Sequence, residues 1–236
     1  MNHLTHPHSP PNPALQPLQH ALSHQLQDAR LVLTHLPNSP IQLWLLDAAP
    51  LRRAFTDAEV QRIQNEPLYW CFCWASGQVM AQWLLEHPDR VRGKTLLDFG
   101  AGSGVVAIAA ALAGAARVIA CDIDPLARQA CVANAAANGV TLEICDNFDT
   151  APKADWIVAA DVLYDRANLC WLDRFAQAAD EVMVADSRVR DFQHPHYQRL
   201  GQAPATTWPD LEESAEFRHV SLYYGHAIRI AATDSH

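Results

Sequence analysis

The segment Leu96–Asp124, which reads LLDFGAGSGVVAIAAALAGAARVIACDID, constrains the fold of this chain more than any other stretch. An apolar run ends at Asp98, three glycines alternate with other residues, an alanine-rich stretch follows, and a second apolar run ends at Asp122. The pattern predicts a strand, a tight turn, a helix and a second strand. Ligands of open α/β sheets bind beyond the carboxyl ends of the strands, so the turn also predicts a binding site.

Predicted strands and helices alternate from Lys94 onward, which favours crossover units and a doubly wound, mainly parallel α/β sheet. The predicted strands are Thr95–Phe99, Arg117–Cys121, Thr141–Cys145, Trp156–Ala160, Glu181–Ala185 and Arg218–Tyr224. The predicted helices are Val105–Ala113, Pro125–Asn138 and Leu169–Ala178. We expect the last strand to pair antiparallel at the edge of the sheet.

The remaining elements are predicted upstream of the sheet. Leucines in Leu15–Leu36 recur at partly helical spacing and predict a helix or arm, whereas Ile41–Leu46 predicts a short strand. Thr56–Asn65 starts with a capping-box pattern, and Gly77–His87 is a further predicted helix. We therefore divide the 236 residues into a tail and helical arm, 1–40, and one main domain, 41–236.

The composition restricts the location and the partners of the protein. A net charge of −9 and a pI near 5.7 disfavour the phosphate contacts of nucleic-acid binding. The longest uncharged apolar stretch, Val105–Ala116, is too short to span a bilayer. None of the six cysteines forms a C-x-x-C pair, which favours reduced thiols and no metal site. We expect a cytoplasmic monomer without membrane or nucleic-acid partners.

The glycine turn distinguishes between two cofactor classes. A nicotinamide or flavin fingerprint is G-x-G-x-x-G, but Val105 stands where the third glycine would be, which gives G-x-G-x-G. Asp98 precedes the turn and would repel a pyrophosphate. S-adenosylmethionine (SAM) has no phosphate and carries a cationic amine and a sulfonium, so an acid at this position suits it. The turn therefore favours SAM.

Acidic residues follow the later strands as well. Asp122 stands about 20 residues beyond the turn, where a carboxylate can bridge two ribose hydroxyls, whereas Asp124 precedes Pro125 and is expected to cap a helix. Asp146 and Asn147 end the third strand, where they either reach the adenine edge or form a plain strand-end turn.

Asp161 and Tyr164 are the predicted catalytic residues. The fourth strand ends at Ala160–Asp161, and Tyr164 follows three residues later. Methyl transfer is an in-line displacement, so the enzyme mainly positions the nucleophile. A carboxylate can orient an attacking amine and stabilise its growing charge, although it does not make the amine neutral. Tyr164 has the alternative role of packing in the core. The Asn/Asp-Pro-Pro-Tyr/Phe element of DNA and glutamine methylases is absent here.

Five motifs in Glu66–Phe192 carry a family resemblance: WASGQ, HPDRVRGK, CDIDPLA, ADVLYD and ADSRVRDF, with the glycine turn in its place among them. In this order they resemble W-P-G-G-Q, N-P-x-x-V-x-G-K, N-D-I-D-P-x-A, G-D-M-F-Y-D and G-D-P-G-R-x-x-F of the electron transfer flavoprotein β-subunit lysine methyltransferases. These are seven-β-strand enzymes of the Asp/Glu-x-x-Phe/Tyr group, whose bacterial members are often called nicotinamide N-methyltransferase-like. The chain departs from the family at Ala75–Ser76 and Ser187–Val189, which replace Pro-Gly and Pro-Gly-Arg, and at Tyr223–Tyr224.

The resemblance implies a Rossmann-like methyltransferase sheet with an antiparallel edge strand, in which Asp161 and Tyr164 shape a lysine site. It also implies that Trp74 packs near SAM. The complete set of predicted cofactor-binding residues is Trp74, Asp98, Gly100, Ala101, Gly102, Gly104, Asp122, Ile123, Asp146, Asn147 and Ala160.

Three functions remain open at the level of the sequence. The first is methylation of protein lysines, with the flavoprotein β subunit or a ribosomal protein as acceptor. The second is N-methylation of a small nicotinamide-like or amine molecule in a pocket sealed by the N-terminal arm. The third is a binding module without activity, against which Asp161 and the complete glycine turn argue.

Overall fold

The structure is a computed structural model that describes residues 13–51, 53–163, 166–189, 193–210, 212 and 214–227. Its strands are β1 (Leu31–His35), β2 (Gln42–Leu46), β3 (Thr95–Phe99), β4 (Arg117–Cys121), β5 (Glu143–Cys145), β6 (Trp156–Ala160), β7 (Glu181–Asp186), β8 (Tyr197–Pro204) and β9 (His219–His226). Its α-helices are α1 (Gln16–Gln25), α2 (Asp57–Asn65), α3 (Ala75–Glu86), α4 (Pro88–Val91), α5 (Val105–Leu112), α6 (Pro125–Ala137) and α7 (Trp171–Ala178). None of these helices has the length and apolar character needed to cross a bilayer.

Seven strands form one sheet in the order β5-β4-β3-β6-β7-β9-β8. The pairs from β5 to β7 are parallel, whereas β9 pairs antiparallel with both β7 and β8. The doubly wound, mainly parallel sheet with an antiparallel edge is thereby confirmed, and all six predicted strands are present. The last of them, β9, was expected at the edge but lies one place in from it, because β8 forms the edge. β8 was not predicted, because its exposed edge position gives it no clear hydrophobic pattern.

The order of the strands reverses at β3: the chain continues to β4 and β5 on one side of β3 and then to β6 and β7 on the other. The carboxyl ends of β3 and β6 are therefore neighbours, with Phe99 in register with Ala159. A crevice opens at such a reversal because the loops that follow the two strands leave in opposite directions. The predicted turn and the predicted catalytic loop follow these two strands.

Helices α3 and α5 pack closely on one face of the sheet. Almost all of α5 is buried, and small residues let its partner approach. A Cβ added to Gly77 of α3 would lie 3.0 Å from Val105 Cγ1. This packing fixes the amino-terminal end of α3 beside the carboxyl ends of the strands, since α5 begins directly after the glycine turn.

The N-terminal region differs from its prediction. The predicted helix or arm over Leu15–Leu36 was wrong beyond Gln25, because Leu31–His35 pairs antiparallel with β2 over its full length. The boundary placed after residue 40 therefore falls inside a hairpin. Leu18 and Leu22 of α1 are buried in one cluster with alanines of α6, which stabilises the helix, whereas pairing with β2 overrides the weak helical pattern downstream. The predicted capping box of α2 is confirmed.

Candidate active site

The carboxyl ends of β3, β4, β5 and β6 line one cavity of about 1660 Å³. Nine of the predicted site residues lie in its wall: Trp74, Gly100, Gly102, Asp122, Ile123, Asp146, Asn147, Ala160 and Asp161. The sheet topology thus brings together residues from five separate segments of the sequence. The predicted catalytic Tyr164 lies outside the described residues.

The glycine turn forms one side of the cavity. Gly100 and Gly102 have φ angles of +71° and +53°, a conformation that side chains with a Cβ rarely adopt. The Gly102 N–H donates to Asp122 Oδ2 over 2.9 Å, and the Asp124 N–H donates to Asp122 Oδ1, also over 2.9 Å. Asp122 therefore links the turn to the end of β4.

The environment of Asp122 has opposing effects on its ionisation. Burial raises the pKa of this carboxyl, and the two N–H groups lower it. Asp124 also accepts an N–H bond from Leu126 over 2.8 Å, as predicted for the N-cap of α6. Both carboxylates lie in the wall of the cavity, but Asp124 is engaged as the N-cap of α6, whereas Asp122 joins the turn to the end of β4.

Three predicted cofactor-binding residues do not line the cavity: Asp98, Ala101 and Gly104. Asp98 is 1% exposed and accepts the Ala107 N–H over 3.0 Å, which ties β3 to the first turn of α5. Burial and, to a smaller extent, the charge of Asp122 raise its pKa to about 7, although the Ala107 N–H acts in the opposite direction. These three residues are buried and support the turn on the side away from the cavity. Their direct contact with a cofactor stays a prediction.

Aromatic side chains form two further parts of the wall, and the sequence analysis missed most of them. The rings of Tyr69 and Trp74 meet edge to face at 5.8 Å, and Trp74 Nε1 donates to the Tyr69 carbonyl over 3.0 Å. In a second group, the ring centre of Phe99 lies 5.6 Å from that of Phe148 and 4.6 Å from that of Trp171. These residues come from four separate segments of the sequence, so no local pattern indicates that they share one cavity.

Two serines hold the Asp161 carboxylate through hydrogen bonds. The Ser76 hydroxyl and the Ser187 hydroxyl donate to Oδ1 over 2.5 and 2.8 Å, and the Ser76 N–H donates to Oδ2 over 3.1 Å. Ser76 lies in the first turn of α3, whose N-cap residue Trp74 makes no side-chain capping bond. The Asp161 carboxylate therefore also caps α3 from a distant part of the sequence.

The backbone of Asp161 has a left-handed φ of +52°, and its N–H donates to the Ala185 carbonyl over 2.9 Å. Aspartate tolerates this conformation better than most residues. Burial raises the pKa of the carboxyl, the serine hydrogen bonds lower it, and the negative charge of Asp186 raises it. Burial and the neighbouring acid prevail, so the net shift is upward.

Comparison with known proteins gives a consistent chemical class. The family profile of ribosomal protein L11 methyltransferase (PrmA) matches residues 79–179. The chain is 41% identical, over 154 residues, to the electron transfer flavoprotein beta subunit lysine methyltransferase of Rattus norvegicus. It is 61% identical, over 82 residues, to the ribosomal protein L11 methyltransferase of Yersinia pseudotuberculosis. These relatives are methyltransferases by name.

The matched stretches cover parts of both proteins. The match to the rat enzyme covers 60% of this chain and 60% of the relative, and the match to the Yersinia pseudotuberculosis enzyme covers 33% and 27%. The human and mouse flavoprotein methyltransferases are matched over 38% and 40% of their own lengths. Among solved structures, protein 1320 of Thermoplasma acidophilum has a TM-score of 0.50 at 18% identity, covering 64% of this chain and 89% of that one. This likeness concerns the fold alone.

Proposed function

We propose that the chain is a SAM-dependent N-methyltransferase that methylates lysine side chains of a protein. The observation that carries the proposal is that a single cavity contains the glycine turn and Asp161, at the adjacent ends of β3 and β6. The similarity to flavoprotein and ribosomal-protein methyltransferases supports the same reaction class.

The residues of the cavity wall fit SAM. When bound, this cofactor supplies an electrophilic methyl group on a positively charged sulfonium. Gly100 and Gly102 let a ligand approach the backbone, and Asp122 offers a carboxylate for the ribose hydroxyls. Ile123, which is 87% exposed, would pack on the adenine, and Asp146 and Asn147 would meet its polar edge.

The chemistry of the wall also suits a cationic acceptor. Six carboxylates line the cavity, at Glu66, Asp122, Asp124, Asp146, Asp149 and Asp161, and two guanidinium groups, Arg174 and Arg188, lie in the same wall. The excess of negative charge attracts ligands of the opposite charge, so both a lysine ammonium and the sulfonium are favoured. Aromatic rings beside the carboxylates add a surface on which a cationic group can bind.

Asp161 is proposed to orient the lysine nitrogen and to stabilise the positive charge that grows on it during methyl transfer. It is not the group that neutralises the lysine, because a nearby carboxylate favours the charged ammonium. The proton therefore leaves to water before the nitrogen attacks. Holding the amine in line with the methyl group is then the main contribution of the protein.

We also propose the finer assignments that the sequence suggested. Asp161 and Tyr164 support placement in the Asp/Glu-x-x-Phe/Tyr group, near the bacterial nicotinamide N-methyltransferase-like proteins. The proposed acceptor is the flavoprotein β subunit or a ribosomal protein, as in the names of the relatives. The net charge of −9 supports an enzyme that acts without nucleic acid, and the cysteine pattern supports a cytoplasmic location. We propose that the enzyme is a monomer.

One observation favours the second candidate, N-methylation of a small amine. Gln25, at the end of α1, lies in the wall of the cavity and donates from Nε2 to Glu66 Oε2 over 3.4 Å. The N-terminal arm therefore takes part in the wall, as a pocket closed around a small molecule would require.

A panel of acceptors tests the proposal and separates it from this alternative. The full chain would be incubated with methyl-labelled SAM and, separately, flavoprotein β subunit, ribosomal protein L11, or nicotinamide. We expect label on lysine of one of the proteins, located by mass spectrometry. Label on nicotinamide alone would transfer the assignment to a small-molecule enzyme. SAM binding without label on any acceptor, or on the proteins of a whole-cell lysate, would contradict both functions.

A further inference from the structure

Ser76 and Ser187 lie on either side of Asp161, although more than 100 residues separate them in sequence. Ser76 belongs to α3, and Ser187 follows directly after β7. Both are almost fully buried, with exposed fractions of 0% and 5%. They are also the two serines that depart from the Pro-Gly and Pro-Gly-Arg elements in the family pattern, so the contact is a property of this chain.

The hydrogen bonds leave little of the carboxylate unoccupied. A carboxylate offers about four lone-pair sites. Oδ1 accepts both serine hydroxyls, and Oδ2 accepts the Ser76 N–H. The Ser187 N–H also approaches Oδ1, at 3.4 Å. One site on Oδ2 remains for a ligand, and Asp161 lies in the wall of the cavity.

A neighbouring acid opposes the charge of Asp161. Asp186, at the end of β7, lies close enough for its charge to raise the pKa of Asp161. Cys73, which is fully buried, also lies near Asp161, but burial raises the pKa of its thiol, so this group stays neutral and adds no charge. The nearby donors that favour an ionised Asp161 are therefore those of Ser76 and Ser187.

We infer that Ser76 and Ser187 are positioning residues of the acceptor site, which hold the Asp161 carboxylate in place with one Oδ2 lone pair free for the substrate amine. The inference rests on the proposed function. The two hydroxyls fix Oδ1, so the carboxylate cannot rotate without breaking a short bond. The ligand class is an amine that donates one N–H bond to Oδ2 while its nitrogen lone pair points elsewhere.

The test compares Ser187→Ala with Ser187→Thr, which keeps the hydroxyl, and with Ser39→Ala as the matched control. Ser39 lies in the turn between β1 and β2, where its hydroxyl oxygen accepts the Ile41 N–H over 3.3 Å. The first readout is the pKa of Asp161 from a carboxyl carbon-13 titration, assigned with Asp161→Asn. The second is the pH profile of kcat/KM with flavoprotein β subunit as acceptor.

Removing a hydrogen bond to the charged form raises a carboxyl pKa. We expect Ser187→Ala to raise the Asp161 pKa by about one pH unit and to move the acidic limb of kcat/KM upward by the same amount. In Ser187→Thr the pKa of Asp161 and the acidic limb of kcat/KM should return to their wild-type values, and Ser39→Ala should change neither quantity. Ser76→Ala should raise the pKa at least as much, because the Ser76 hydroxyl makes the shorter of the two hydroxyl bonds to Oδ1.

The two readouts separate this inference from the proposed function. An Asp161 pKa that is unchanged in both alanine variants overturns the role of the serines. A shifted pKa with an unmoved acidic limb overturns it as well, because Asp161 would then be held for structure alone. If the pKa shifts but the protein transfers a methyl group to no acceptor, the serine contacts are supported and the proposed methyltransferase function is contradicted.

Discussion

The cofactor side and the acceptor side of the cavity are built in different ways. The centre of the cofactor side is formed by Gly100, Gly102 and Asp122, which belong to one continuous segment, and the Gly102 N–H donates to the Asp122 carboxylate. The acceptor side consists of Asp161 with Ser76 and Ser187, which three distant segments contribute. Local geometry thus determines the first side, whereas the packing of α3 against the sheet determines the second.

The glycine turn provides the largest expected effect on stability. Gly104 has φ +79°, and an added Cβ would lie 3.1 Å from Cys131 Sγ and 3.2 Å from Cys131 Cα. We expect Gly104→Ala to lower the free energy of unfolding by about 3 kcal/mol, because left-handed strain and overpacking add. Denaturant unfolding measures the loss.

Gly139→Ala is the matched control for that variant. Gly139 also has a positive φ, +66°, but an added Cβ would meet nothing within 4 Å. The backbone strain alone should then lower the free energy of unfolding by about 1 kcal/mol. Equal losses in the two variants would show that the packing of the turn against α6 contributes nothing, and the local account of the cofactor side would fail.

The raised pKa of Asp98 predicts how the free energy of unfolding depends on pH. Its pKa is raised from an ordinary 3.8 to about 7, so between these values the folded state keeps a proton that the unfolded state releases. The contribution of Asp98 to the free energy of unfolding is therefore fully present below pH 3.8 and is lost as the pH rises to about 7. We expect the stability of Asp98→Asn relative to wild type to rise by about 2 kcal/mol from pH 5 to pH 7.5.

Urea unfolding of both proteins across this pH range measures the difference, since the other titrating groups cancel. A difference that stays constant with pH would show that Asp98 is ionised in its buried position. The first turn of α5 would then hold a charge through the Ala107 N–H alone.

Asp122→Ala tests whether the two sides are separable. The variant loses the carboxylate that faces the cavity, so we expect the Kd for SAM to rise about 30-fold in titration calorimetry. The same measurement on Asp161→Ala should leave the Kd within about threefold of wild type. Comparable losses in both variants would mean that the cavity is one coupled site.

The sequence predicted the cofactor side better than the acceptor side, for a physical reason. Residues such as Gly100 and Asp122 lie at strand ends, and alternating strands and helices bring strand ends to one edge. The strands β3, β4 and β6 began and ended where the apolar runs predicted. Short-range pattern and sheet topology were sufficient there.

The same reasoning could not predict contacts between segments that are distant in the sequence. Ser76 and Ser187 stood out in the sequence only as departures from a family pattern, and nothing local shows that both meet Asp161. The strand Leu31–His35 was missed because its partner, Gln42–Leu46, determines its conformation more than its own leucine spacing. The role of Tyr164 stays a prediction.

The most direct test of the account is Asp161→Ala with SAM binding and methyl transfer measured on the same sample. We predict that transfer to the acceptor protein falls about 100-fold or more, while the Kd for SAM stays near the wild-type value. That result would place Asp161 on the acceptor side and leave the cofactor side intact. Wild-type turnover in this variant would contradict the assignment of the active site.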